Sequence, residues 1–125
     1  MDTWDSKDGM EPEVTHGHTL TTRILFKEVL EDAIKPYAFV ASRYPLILSL
    51  ENHCNPELQD KMAFYLKTIL REWLYVKDPD PDAEFLPSPE SLLEKILVKA
   101  KGPAKEKDEV SFLTCKISAW NGLFV

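Results

Sequence analysis

The sequence has only two cysteines, Cys54 and Cys115, and they lie far apart. This is too few for a scaffold held together by disulfides, and it is typical of a reducing compartment. No apolar run approaches the roughly 20 residues that a membrane-spanning helix needs. The acidic start, Met1-Asp2-Thr3-Trp4-Asp5, differs from a signal peptide, whose amino end is basic. These absences predict a soluble intracellular protein without a transmembrane segment.

Positive charge is also in short supply. The chain has 15 lysines and arginines against 21 acidic residues, so its formal net charge is −6. A protein of this charge does not bind nucleic acid or an anionic membrane surface by general attraction. A length of 125 residues, 44% of them hydrophobic, suits one domain with a core, or part of a larger one.

The first half of the chain predicts a short strand followed by a helix. The strand covers residues 14–16. From Thr22 to Tyr37 the apolar residues follow helical spacing, and Thr21 or Thr22 is a plausible N-cap. Pro36 lacks an N–H group and crowds the carbonyl four residues earlier, so we expect the helix to stop or kink there.

The rest of the chain continues this alternation. Residues 46–50 are a continuous apolar run, which favours a strand buried inside a sheet that helices cover. Asn55 and Pro56 are typical of a helix start, and an apolar stripe follows them. The Asp- and Pro-rich residues 77–89 predict a loop, and residues 95–101 predict a further strand. The pattern of strand, helix, strand, helix and strand predicts an α/β fold with a piece of parallel sheet.

Titratable residues stand where three of the apolar, strand-like runs end. They are His16, Glu51 and Lys99. Polar groups at the ends of successive strands are how an α/β barrel builds an active site at the C-terminal rim of its sheet. One acid or base, one carboxylate and one cation suit chemistry on a phosphate.

Each candidate also has an ordinary structural interpretation. His16 and His18 fit a polar loop after a strand, and two histidines at this spacing make a poor zinc site. Glu51 fits a capping residue for the helix that follows it. Lys99 and Lys101 lie on one side of a strand, where lysines often protect an exposed sheet edge from aggregation.

Four segments carry a resemblance to a known family. They are Asp2-Thr3-Trp4-Asp5, His16-Gly17-His18-Thr19, Ser49-Leu50-Glu51-Asn52-His53 and the strand that ends at Lys99 and Lys101. In this order they resemble the X-box half of the catalytic barrel of eukaryotic phosphoinositide-specific phospholipase C. The resemblance implies a partial TIM-type (β/α) barrel, the C-terminal part of the X-box half, over residues 1–101. Residues 102–125 would be a linker or a divergent tail.

The resemblance also implies roles for individual residues. His16 matches the histidine that is thought to protonate the leaving glycerol oxygen. Glu51 looks like a Ca²⁺ ligand and a candidate base for the inositol 2-hydroxyl. Asp2 looks like a second Ca²⁺ ligand, although an aspartate at a chain end is normally just solvated. Lys99 and Lys101 correspond to lysines that contact phosphates on the inositol ring.

Three residues close to these candidates in the sequence are interpreted as structural. His18 falls at a position that varies in the family, and His53 and Cys54 are interpreted as packing residues. Two departures from the family are a threonine, Thr3, in place of the usual cysteine, and one extra residue in the first helix around residues 32–36.

The function implied is calcium-dependent hydrolysis of phosphatidylinositol 4,5-bisphosphate to diacylglycerol and inositol trisphosphate. We expect such a protein to be cytoplasmic and to meet its lipid substrate at the membrane surface. The family's first catalytic histidine, a further Ca²⁺-binding glutamate and the Y-box half of the barrel belong to segments that this sequence does not contain. The alternative is therefore a non-catalytic half-barrel that acts by binding.

Overall fold

A computed structural model describes residues 1–17, 21–76 and 87–101, with the backbone alone for Lys101. The five strands are β1 (Asp2–Asp5), β2 (Pro12–Val14), β3 (Ile24–Leu25), β4 (Leu46–Asn52) and β5 (Ile96–Lys101). The α-helices are α1 (Phe26–Glu28), α2 (Lys35–Tyr37) and α3 (Pro56–Tyr65). π-helical turns cover Val29–Ile34 and Leu66–Leu70, and 3₁₀ turns cover Arg71–Trp73 and Glu90–Leu92. Residues 102–125, which we predict to be a linker or tail, lie outside the described residues.

The sheet is mixed rather than purely parallel. Its strand order is β3-β2-β1-β4-β5, in which β1, β4 and β5 run parallel. β2 pairs with β1 and with β3 in antiparallel orientation. Two expectations are corrected: β1 is an additional strand, and the strand expected at residues 14–16 ends at Val14. The parallel part agrees with the predicted fragment of an α/β barrel.

The core lies on one side of this sheet. In β4, Leu48 and Leu50 are buried, whereas Ile47 is 62% exposed and Ser49 is exposed. The buried side chains come from β4, β5 and the helices; the cluster comprises Phe26, Leu30, Leu48, Leu50, Cys54, Leu58, Met62, Ala63, Leu66, Ile69, Leu70, Leu74, Ile96 and Ala100. β4 was expected to be buried on both faces, but here its second face is exposed. We call this side of the sheet, which carries Ile47, Ser49 and Glu51, the open face.

The first helical stretch starts later than predicted. Ile24–Leu25 pairs with β2, so the helix begins at Phe26 and neither Thr21 nor Thr22 is its N-cap. Helical structure ends at Tyr37, directly after Pro36, as expected from the missing N–H group. The turn over Val29–Ile34 is π-helical, which takes one residue more than an α-helical turn. It overlaps residues 32–36, where the resemblance implies one extra residue.

The start of α3 is confirmed and is tied to β1. Asn55 caps the helix, because its side chain accepts a hydrogen bond of 3.0 Å from the backbone N–H of Leu58. Asn55 also donates to both carboxylate oxygens of Asp5, through its backbone N–H and its side-chain amide, each at 3.0 Å. Asp5 therefore fixes the helix start against the end of β1.

This capping residue gives a stability prediction. We expect Asn55→Ala to lower the free energy of unfolding by about 1–2 kcal/mol, since it removes the cap and leaves a carboxylate oxygen of Asp5 without its amide donor. Asn55→Ser is the matched control, because serine keeps a capping oxygen, and we expect it to cost less than half as much. Urea unfolding followed by circular dichroism measures both. Equal losses for Ala and Ser would show that the cap contributes little.

Candidate active site on the open face of the sheet

Strand register brings four of the predicted site positions onto the open face. Asp2 of β1 pairs with Glu51 of β4, Glu51 pairs with Lys101 of β5, and Ser49 pairs with Lys99. Residues paired in neighbouring strands point to the same side of a sheet. The positions of Asp2, Glu51, Lys99 and Lys101 therefore share one face, and the Glu51 and Lys99 side chains are exposed there.

His16 reaches this region by a different route from the one expected. It follows β2, which is antiparallel to β1, so it does not stand at the C-terminal end of a parallel strand. The chain after β2 instead runs beside the start of β1, where the backbone N–H of Thr15 donates to the carbonyl of Asp2 at 3.1 Å. Because Asp2 pairs with Glu51, His16 comes to the same end of the sheet as Glu51. His16 is exposed, and His18 lies outside the described residues.

The loop that carries His16 contacts an aromatic pair. The rings of Trp4 and His53 are stacked, with centroids 4.0 Å apart and an interplanar angle of 17°. A Cβ atom added to Gly17 would lie 2.7 Å from Cζ2 of Trp4, which is closer than real Cβ contacts. Glycine is therefore needed at position 17 for the loop to approach the indole.

His53 is more than a packing residue. Its Nε2 lies 3.4 Å from Oε1 of Glu51, and 35% of its side chain is exposed. Its stack on Trp4 agrees with the packing role expected from the sequence, and the contact with Glu51 is additional to that role. His53 comes two residues after Glu51, and residues at this spacing in an extended chain point to the same side. This spacing was the sequence signal for the contact between the two side chains.

The end of β4 is fixed from inside the core. Thr3 is fully buried, and its hydroxyl oxygen lies 3.3 Å from two acceptors, the carbonyl of Glu51 and Oδ1 of Asn52, which share its one hydrogen. Oδ1 of Asn52 also accepts from the backbone N–H of Cys54 at 3.1 Å. A cysteine at position 3 would be a weaker donor, so Thr3 strengthens the attachment of β1 to the backbone of Glu51.

Cys54 packs in the core, as predicted. Burial, together with the negative charge of Asp5, raises the pKa of the Cys54 thiol to about 12. The thiolate is the nucleophilic form of cysteine, so this side chain is unreactive at neutral pH.

The loop between β1 and β2 is fastened to α3. The Glu11 carboxylate forms an ion pair with Lys61 and accepts a hydrogen bond of 2.9 Å from the Tyr65 hydroxyl. The hydrogen bond to Glu11 raises the pKa of Lys61, and burial raises the pKa of Tyr65. This contact holds the hairpin that leads to His16 against the helical layer.

The carboxylates of Asp2 and Glu51 are the candidate ligands for calcium. Ca²⁺ takes six to eight oxygen ligands, and Asp2 and Glu51 on adjacent strands supply the right donor type. Within residues 1–17, 21–76 and 87–101, no group of three or more His, Cys, Asp or Glu side chains could hold a metal ion. Asp2 and Glu51 therefore supply two oxygen donors of the type that Ca²⁺ binds, and the described residues contain no complete metal site.

None of the helices within the described residues is long and apolar enough to cross a membrane.

Comparison with protein families gives a match over most of the chain. The model for "Phosphatidylinositol-specific phospholipase C, X domain" matches residues 1–102. Mouse (Mus musculus) 1-phosphatidylinositol 4,5-bisphosphate phosphodiesterase eta-2 is 53% identical over 102 residues, which are 81% of this chain and 7% of that protein. Danio rerio 1-phosphatidylinositol 4,5-bisphosphate phosphodiesterase delta-3-A is 54% identical over 102 residues, which are 81% of this chain and 13% of that protein. Mouse "Inactive phospholipase C-like protein 2" is 48% identical over 101 residues, 81% of this chain and 9% of that protein.

Solved structures give the same result. The crystal structure of S. officinalis PLC21 matches with a TM-score of 0.72 and 44% identity over 86% of this chain and 14% of that chain. The crystal structure of L. pealei PLC21 matches with a TM-score of 0.72 and 40% identity over the same shares. The predicted fold class, an α/β chain that forms part of a TIM-type barrel, is confirmed. The chain spans 7–14% of the length of these relatives and structures.

Proposed function

The chain belongs to the X-domain family of phosphatidylinositol-specific phospholipase C, and on that basis we propose that it forms part of a calcium-dependent catalytic barrel. The proposed reaction is the hydrolysis of phosphatidylinositol 4,5-bisphosphate to diacylglycerol and inositol trisphosphate. The observation that supports it most directly is the register that pairs Asp2 with Glu51 on the open face, beside the segment that carries His16. The complete activity is that of a longer protein, since this chain spans a small share of its relatives.

In this proposal the exposed polar residues have separate roles in proton transfer and in phosphate binding. Glu51 accepts the proton of the inositol 2-hydroxyl, whose oxygen attacks phosphorus. His16 donates a proton to the glycerol oxygen as its bond to phosphorus breaks, which releases diacylglycerol and leaves a cyclic phosphate on the inositol ring. Water then attacks this phosphorus and opens the ring to give inositol trisphosphate, with the two proton transfers reversed: His16 accepts a proton from the water and Glu51 returns one to the 2-oxygen. Lys99 attracts a phosphate of the inositol ring as a point charge, and so does Lys101, which lies two residues further on the same strand.

Asp2 and Glu51 would hold calcium. A bound divalent cation lowers the pKa of a hydroxyl beside it and offsets the charge of the phosphate. Because the substrate is a lipid, we expect a cytoplasmic protein that associates with the membrane surface. Release of inositol trisphosphate, with and without EGTA, tests the proposal.

A second candidate function is a half-barrel that binds without catalysis. It is favoured by the 48% identity to a relative whose name calls it inactive, a value close to the identities with the named phosphodiesterases. Overall identity therefore does not separate the two functions. The activity measurement does, because the binding function predicts no inositol trisphosphate from a protein with a complete barrel.

Because Asp2 and Glu51 are its only two proposed protein ligands, we expect calcium to bind weakly to the 125-residue chain. We expect a dissociation constant on the order of 10⁻³ M, as in the weakest protein sites, because water must replace the missing carboxylates. Isothermal titration calorimetry measures it, and Glu51→Ala should abolish the residual heat. Micromolar binding that survives Glu51→Ala would mean that the ligands are assigned wrongly.

A further inference from the structure

The side chain of Glu51 has few contacts that restrict its conformation. Its side chain is 63% exposed at the end of β4, although its backbone is held by β1 and by the Thr3 hydroxyl. Ordering a free glutamate side chain on binding costs conformational entropy. A neighbour that holds the carboxylate in place beforehand would reduce this cost.

His53 is placed to do so. Its Nε2 lies 3.4 Å from Oε1 of Glu51, a close contact between the ring nitrogen and the carboxylate that is longer than the usual N–H···O hydrogen bond. The imidazole has a fixed orientation for two reasons. Its backbone N–H donates to the carbonyl of Thr3 at 2.8 Å, and its ring stacks on Trp4 with centroids 4.0 Å apart.

Trp4 connects this pair to the loop that carries His16. The indole is approached by Gly17 so closely that a Cβ atom there would lie 2.7 Å from Cζ2. A displacement of the loop would therefore move the indole, and through the stack it would move the imidazole beside Glu51. Contacts run without a break from Gly17 through Trp4 and His53 to the carboxylate.

We propose that Trp4 and His53 are positioning residues: the Trp4 ring, in contact with Gly17, fixes the His53 imidazole, which holds the Glu51 carboxylate toward a cation. Partners of this kind orient metal-binding carboxylates without touching the ion. The inference rests on the proposed function in one respect, the binding of a divalent cation at Glu51. It adds that the His16 loop and the cation ligand are coupled mechanically.

The test uses the 125-residue chain and Tb³⁺ alone as a luminescent calcium probe, with affinity taken from the midpoint of a titration. His53→Phe keeps a ring for Trp4 to stack on but removes the nitrogen that faces Glu51. We expect it to weaken Tb³⁺ binding about tenfold, the lower end of the range for such partners because the site is exposed. The same substitution should have no further effect in a Glu51→Gln background, since the carboxylate through which it acts is gone.

Gly17→Ala tests the contact between the His16 loop and Trp4. The added methyl group must displace the indole, so we expect a changed Trp4 band in near-ultraviolet circular dichroism and weaker Tb³⁺ binding. The Trp4 band is identified by its loss in Trp4→Phe, and His53→Phe should retain it. Glu28→Gln, which removes an exposed carboxylate from α1, is the control for charge and should bind Tb³⁺ as the unmodified chain does.

The outcomes separate the inference from the function on which it rests. Binding that is insensitive to Glu51→Gln overturns the cation site and the inference with it. Binding that depends on Glu51 but is unchanged by His53→Phe overturns the inference alone. An unaltered Trp4 band in Gly17→Ala removes the link to the His16 loop, and if that variant fails to fold, the two His53→Phe measurements still decide the role of His53.

Discussion

A longer chain that supplies the remaining barrel strands is expected to release inositol trisphosphate from phosphatidylinositol 4,5-bisphosphate in the presence of Ca²⁺, and the 125-residue chain to release none. The reason is the site described above. The positions of Asp2, Glu51 and Lys99 share the open face, and the segment that carries His16 runs beside the start of β1. These residues make up only part of the proposed catalytic set. Catalytic groups that act as a set lose most of their benefit when members are missing.

Within that longer chain, His16→Ala should lower kcat by 10²–10⁴-fold, the usual contribution of a positioned general acid. Glu51→Ala should be at least as damaging, because the proposal gives Glu51 both a proton-accepting role and a cation-binding role. His18→Ala is the matched control, since it removes an imidazole two residues away, and we expect little change. The measurement is inositol trisphosphate release with and without EGTA.

Two results would contradict this prediction. If the longer chain is inert, or if His16→Ala leaves it unimpaired, the protein has kept the barrel without the chemistry. The non-catalytic function would then stand. Activity that EGTA does not affect would remove calcium from the proposal and leave the hydrolysis.

Local signals in the sequence predicted the elements that local interactions determine. The apolar run at residues 46–50 gives β4, and Asn55 followed by Pro56 gives the start of α3. Pro36 marks the end of the first helical stretch because its missing N–H group acts on the nearest turn. The alternation of residues along β5 likewise predicted that the positions of Lys99 and Lys101 share one side of the sheet, and the strand register agrees.

Contacts between distant segments could not be predicted in this way. β1 is four residues long and mostly polar, so its strand conformation depends on pairing with β2 and β4. The antiparallel direction of β2, which brings the His16 segment to the start of β1, is set by that pairing. The contact of His53 with Trp4 joins the residue after β4 to β1, and neither segment alone predicts it.

The second large effect concerns the two faces of β4. Leu48 is 5% exposed and packs in the core, whereas Ile47, its neighbour in the strand, is 62% exposed on the open face. In the 125-residue chain we expect Leu48→Ala to lower the free energy of unfolding by about 2–5 kcal/mol, as for other buried leucines. Ile47→Ala, the control of equal size, should cost less than about 0.5 kcal/mol.

The same pair of variants tests whether the open face is the inside of a barrel. The side chains that point into a closed α/β barrel pack in layers, so closure would bury Ile47. In a longer chain with the remaining strands, Ile47→Ala should therefore become nearly as destabilising as Leu48→Ala. Urea unfolding of both variants in both chains measures the change. If Ile47→Ala stays neutral in the longer chain, this face does not become the barrel interior, and Glu51, which shares the face, would not belong to a barrel active site.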